Sequence, residues 1–240
     1  MSGGTRPTVL ALSGLLCDDI VWRAQADALG DLAEFILVDF PDLDDFTDMA
    51  HHALGLVEGR FHLWGHSMGA RVAFEVWRTA SERVRSLVLF DTASHGVREA
   101  EIPGRRRLLD VAATEGMGRL ADEWLPQMVA PDHRCDERLM AQLREMVLRA
   151  SPEQHARQIH ALLTRPDATP LLSTIDVPTL VAVGRHDGWS PLAQHMAIVE
   201  KVDGARLEII EAAGHMSTIE QPDAVTALLR EWMIGLGPAG

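Results

Sequence analysis

The chain has 240 residues, 47% hydrophobic and 24% charged, enough apolar content for a substantial buried core and unlike a disordered chain. A formal net charge of −13 argues against a nucleic-acid surface, which needs concentrated positive potential, and no block of like charge is long enough to form a tail. Cys17 and Cys135 give neither a disulfide framework nor metal-type spacing. The opening MSGGTRPTVLALSG lacks the apolar core of a signal peptide, so with no apolar run of transmembrane length a reducing cytoplasm is the expected location.

TVLALS (8–13) is the first strand candidate, and helical spacing follows near 19–30. EFILVDF (34–40) and a helix near 45–58 come next, then RFHLW (60–64) and a helix over 68–80. VRSLVLFD (84–91) is the fourth strand candidate. From about His95 to Leu172 the pattern is helical only, as in DERLMAQLREMVLRA (136–150) and PEQHARQIHALLTR (152–165), which is too long for an ordinary connection. Strands resume at PTLVAVG (178–184) and RLEIIE (206–211), with a helix near 191–202 between them. The last helix opens at Pro222, which suits a first helical position, and Val225, Leu228, Leu229, Trp232 and Met233 follow one-face spacing. Several strand runs are apolar almost throughout, as expected for strands buried on both faces. The pattern predicts an α/β fold with a mostly parallel, doubly wound sheet and helices on both faces. Residues 95–172 form a helical insertion that divides the core into 1–94 and 173–240.

Gly65-His66-Ser67-Met68-Gly69 falls where RFHLW ends and the helix ARVAFEVW begins. A strand-to-helix turn this tight strains the serine and requires small neighbours, which the two glycines supply. A serine hydroxyl is a poor nucleophile without a base, and the base needs an acid to orient it. Asp187 follows the strand at 178–184, and His215 follows the strand at 206–211. Loops after the C-terminal ends of parallel strands share one edge of a sheet, where ligands bind. Ser67, Asp187 and His215 are therefore the candidate catalytic set.

GHSMG, GRHDGWSP, AGHMSTIEQPDAV and the opening LALSGLLCDDIVW together resemble the α/β-hydrolase superfamily, in its small cap-bearing branch of enol-lactonases and carboxylesterases. The resemblance spans the chain apart from 95–172, which corresponds to that branch's variable cap. It implies that Ser67 attacks, His215 acts as base and then acid, and Asp187 orients the histidine. It further implies an oxyanion hole made by the backbone N–H groups of Met68 and Leu15. The resembling enzymes have His-Gly before that second donor; here Ser13-Gly14 stand there, which leaves the support of the loop open. The implied reaction is hydrolysis of a small carboxylic ester, lactone or thioester through an acyl-enzyme. A carbon–carbon bond hydrolase or a cofactor-free haloperoxidase-like enzyme shares the same triad. A ligand-binding protein of the same fold without turnover is the reading from another class.

Asp91, at the end of the strand at 84–91, is the alternative acid, although a hydrogen bond to its own turn through Thr92 or Ser94 also accounts for it. Trp189, Trp124 and His66 are candidate pocket residues, with Trp22 a weaker one. His66 is expected to pack or bond locally, and His186 to be a loop residue. Met117, Met128, Met140 and Met146 read mainly as helix core. Arg105, Arg106 and Arg107 read as solvent-facing, with the alternative that one turns inward to hold a substrate carboxylate. The remaining histidines, including His51-His52, lack ligand spacing, and no G-x-G-x-x-G follows the first strand, so neither a metal nor a dinucleotide cofactor is expected. The expected partner is a small-molecule ester, lactone or thioester, with no nucleic acid and no membrane.

Overall fold

The computed structural model describes residues 6–237. Six parallel strands run β1 (Thr8–Leu12), β2 (Glu34–Val38), β3 (Phe61–His66), β4 (Val84–Phe90), β5 (Thr179–Gly184) and β6 (Arg206–Ile210). Their spatial order is β2-β1-β3-β4-β5-β6, and every neighbouring pair is parallel. β3 and β5 are buried along their whole length and β4 nearly so, while the edge strands β2 and β6 are half-exposed. That burial explains the near-continuous apolar runs of the central strands.

Helices α1 (Ile20–Leu29), α2 (Phe46–Gly55) and α3 (Met68–Ala80) connect the first four strands. Right-handed crossovers place α1 on one face and α2 with α3 on the other, because the chain steps outward to β2 before returning past β1. β1 and β3 flank this reversal, so the crevice beyond their C-terminal ends is where such a sheet binds ligands. Helices α4 (Ile102–Trp124), α5 (Glu137–Arg149) and α6 (Pro152–Thr164) lie between β4 and β5, and α7 (Leu192–Val199) joins β5 to β6. The short α8 (Ser217–Glu220) and then α9 (Pro222–Leu236) follow β6, and α9 packs on α1. Val225, Leu229 and Met233 of α9 are buried, as its spacing predicts. No helix among the described residues is long and apolar enough to cross a membrane.

Close backbone approach joins α3 to the sheet. A Cβ at Gly65 would stand 2.6 Å from the Ala70 nitrogen, and one at Gly69 would collide with the carbonyl of Leu12. α3 can therefore start directly against β1 and β3 only with glycine at both positions. Gly69→Ala is expected to destabilise the protein by about 1–3 kcal/mol, the usual cost of overpacking. Urea denaturation measures it, and an unchanged midpoint would show that the helix start can shift without cost.

Candidate active site

β3 ends on His66 and α3 begins on Met68, so Ser67 alone turns the chain. Its backbone sits at φ 54°, ψ −112°, a conformation costing a non-glycine residue about 1–3 kcal/mol. The turn is pinned on both sides. Ser67 N–H donates to the Phe90 carbonyl (2.8 Å), and the Thr92 hydroxyl donates to the Ser67 carbonyl (3.0 Å).

The three candidate residues meet, although they come from separate strand ends. Ser67 Oγ lies 2.7 Å from His215 Nε2, and His215 Nδ1 lies 2.8 Å from Asp187 Oδ2. A carboxylate only accepts, which assigns the imidazole proton to Nδ1 and leaves Nε2 free to take the serine proton. The other carboxylate oxygen of Asp187 accepts from Trp189 N–H (2.8 Å) and Ser190 N–H (2.7 Å). Burial acts to lower the His215 pKa, but the charge and hydrogen bond of Asp187 outweigh it and raise it above the usual imidazole value. Burial likewise opposes ionisation of Asp187, yet the charge and hydrogen bond of His215 hold its carboxyl below the usual range.

Asp91 makes no hydrogen bond to His215 among the described residues. Its Oδ1 accepts from Gly184 N–H (2.9 Å), Oδ2 pairs with the Ser217 hydroxyl, and His66 Nε2 lies 3.7 Å away. The local turn bonds read from the sequence are also absent among the described residues: Thr92 N–H donates to His195 Nε2 (2.8 Å) instead. Asp91 thus clips the end of β5 to the start of α8. Burial, then the negative charge of Asp187, push its carboxyl well above the usual range.

Two further residues brace the site, and the sequence offered no sign of either role. Glu220 Oε1 accepts from Gly214 N–H (2.8 Å) and Met216 N–H (3.2 Å), on either side of His215. Its Oε2 lies 2.7 Å from Ala130 N and 2.8 Å from His133 Nδ1, tying the histidine loop to the insertion. Gln158 of α6 takes Leu16 N–H on Oε1 (2.9 Å) and gives Nε2–H to the Phe40 carbonyl (3.0 Å). The Ser13 hydroxyl donates to the Asp18 carbonyl (3.0 Å), so the loop after β1 is held without the histidine seen in resembling enzymes.

Ser67 and His215 open onto a cavity of about 390 Å³, which Leu15 and Met68 also line. Trp124, Trp189 and His66 line it as expected, and of the four singled-out methionines of the insertion only Met128 does. His66 Nε2–H donates to the His215 carbonyl (2.8 Å); burial, then the charge of His215, lower its pKa to about 3. Trp22 corrects the sequence reading. It lies in the core, its indole N–H on the Leu12 carbonyl and its ring 5.8 Å from Trp64 and 5.6 Å from Phe90. His186 is an exposed loop residue. Arg106 and Arg107 face solvent, whereas Arg105 is buried and lines the cavity. Arg71 lines it too and was overlooked, although it stands one helical turn beyond Ser67.

A strained serine, a histidine bonded to it and a buried aspartate behind the histidine form the kind of arrangement that nucleophilic hydrolysis requires. The family model described as the alpha/beta hydrolase family matches residues 9–228, and the chain belongs to that family. A pimeloyl-[acyl-carrier protein] methyl ester esterase of Nitrosomonas europaea is 26% identical over 234 residues, covering 92% of this chain and 93% of its own. A solved thermophilic esterase from Thermogutta terrifontis, malate-bound, is 31% identical with a TM-score of 0.87, covering 97% of this chain and 91% of that one. The enol-lactonase from Burkholderia xenovorans LB400 is 25% identical with a TM-score of 0.85, covering 98% and 94%.

The bracing by Glu220 can be tested by Glu220→Gln, which turns an amide NH₂ toward backbone donors. Loss of hydrogen bonds to a charged acceptor predicts destabilisation of about 1.5–3 kcal/mol in urea, with turnover reduced as the His215 loop loosens. Wild-type stability and turnover together would remove Glu220 from the site's support.

Proposed function

We propose that the protein is a serine hydrolase that cleaves a small carboxylic ester, lactone or thioester through an acyl-enzyme. The observation that carries this reading is the unbroken hydrogen-bonded line Asp187–His215–Ser67, ending on a cavity. Ser67 Oγ attacks the carbonyl carbon while His215 Nε2 takes its proton. The imidazolium so formed is stabilised by the ionised Asp187, the partner that raises the His215 pKa. The tetrahedral oxyanion is received by the N–H groups of Met68, at the start of α3, and Leu15. Each such donor contributes about 2.7–4 kcal/mol in enzymes of this chemistry. Collapse breaks the bond to the leaving group, which departs with the proton from His215. Water then repeats the sequence at the acyl carbon and frees Ser67. Residues 95–172 serve as the cap over this centre. The esterase and lactonase names of the relatives support an ester or lactone as the bond cleaved.

Ser67→Ala should reduce p-nitrophenyl ester turnover to background without lowering the melting temperature, and a serine-directed phosphonate should label only the peptide holding Ser67. Asp187→Asn should lower kcat/KM by about 10³–10⁴-fold, the effect of losing the orienting carboxylate. Asp91→Asn, which keeps an accepting oxygen for Gly184 N–H and has no bond to His215 to lose, should stay within about tenfold of wild type, far less than the loss of an orienting carboxylate. Turnover surviving in Ser67→Ala, or the reverse ranking of the two aspartates, would contradict the assignment.

A further inference from the structure

The cavity has a cationic wall that the hydrolytic chemistry does not use. Arg71 of α3 and Arg105 of α4 line it, together with Glu101. Glu101 already has its partners. Arg105 Nε and Nη2 lie 3.3 and 3.2 Å from its Oε2, and Arg165 Nη2 lies 2.6 Å from its Oε1. Against the cost of burial, the hydrogen bond and charge of Arg165 and the charge of Arg105 draw the Glu101 carboxyl down to about 2, so it is ionised at neutral pH. Arg165 spends its other N–H groups on the carbonyls of His95, Leu162 and Gly96.

Arg105 and Arg165 therefore share the one carboxylate of Glu101, and Arg71 and Arg98 add two further guanidinium groups to the lining, which leaves a positive excess at the cavity of a chain whose net charge is −13. Arg105 is only 6% exposed, yet its Nη1 has no hydrogen-bond partner among the described residues. Arg71 donates from Nη1 to the His95 carbonyl (2.9 Å) and meets no carboxylate among the described residues. A buried guanidinium with an idle N–H is unfavourable unless something occupies it. Both groups are also close to the reacting centre. The Arg105 guanidinium lies 5.5 Å from the ring centroid of Trp189, on the Asp187 loop, and Arg71, one helical turn beyond Ser67, lines the same cavity as the serine.

We propose that Arg105 and Arg71 form a subsite for a carboxylate carried by the substrate, which makes half-esters of dicarboxylic acids, and lactones bearing a free carboxylate, the preferred class. The guanidinium fork matches the planar carboxylate, and a second anion offsets the charge that Glu101 leaves uncompensated. The choice of substrate rests on the ester-hydrolase reading; the anion site does not.

The test compares monomethyl esters of glutaric, adipic and pimelic acids with neutral methyl esters of monocarboxylic acids of equal chain length. Wild type is expected to favour at least one half-ester by tenfold or more in kcat/KM. Arg105→Met should bring that ratio toward one, and Arg105→Lys should restore part of it. Arg71→Met, at a less buried position, supplies the same reading if Arg105→Met does not fold. Calorimetry of Ser67→Ala with a half-ester and its neutral counterpart reads the subsite without turnover. Tighter binding of the half-ester, lost on adding Arg105→Met, supports the subsite even if wild type hydrolyses neither ester, an outcome that would sink only the hydrolase reading. Hydrolysis of both classes at equal efficiency, or a parallel loss of both in the arginine variants, overturns the subsite and leaves the hydrolase reading standing.

Discussion

One buried negative charge organises this site. Asp187 and Asp91 are both buried and both act on His215 through their charge, and burial makes two charges there expensive. The histidine bonds to Asp187, so the charge settles there, while Asp91 is driven toward its neutral form. With its Nδ1 on Asp187, His215 presents Nε2 to Ser67 and would have a counter-charge at hand for the proton that the proposed reaction gives it. Two acids near one imidazole are thus pushed in opposite directions, because only one of them bonds to it.

The sheet brings these groups together, and the insertion fixes them in place. The loop carrying His215 is held by hydrogen bonds from His215 N–H and Met216 N–H to the Met128 carbonyl, at 2.8 and 3.1 Å. Glu220 makes a second tie to the same segment of the insertion, and Gln158 reaches from α6 to the loop after β1. A segment that contributes Arg105, Trp124 and Met128 to the cavity lining is in this way also part of the scaffold that holds the His215 loop. Substitutions in the insertion therefore act on the position of the imidazole as well as on the shape of the pocket.

Much of the fold was legible because burial on both faces leaves an unambiguous apolar record in the central strands. β3 extends past Trp64 to His66, since Gly65 and His66 continue the pairing with β4, a ladder that glycine disguises in sequence. α4 was the least legible helix. Gly116, at φ 85° and ψ 171°, interrupts it, so its apolar residues do not form one continuous stripe. That Ser67, Asp187 and His215 meet was readable because each follows a strand, and strand ends share an edge. Asp91 was misread because its partners, Gly184 and Ser217, lie far along the chain, where local turn chemistry cannot find them. Arg105 illustrates the same limit: consecutive arginines on a helix point in different directions, and only packing decides which turns inward.

The acyl-enzyme is the species on which the account stands. Rapid acid quench during p-nitrophenyl ester turnover, followed by peptide mass spectrometry, reads it directly. The peptide containing Ser67 should carry the added mass of the acyl group, and this should vanish in Ser67→Ala. Steady turnover with the acyl group on another residue, or with no acylated peptide even in the Asp187→Asn variant slowed for trapping, would contradict it.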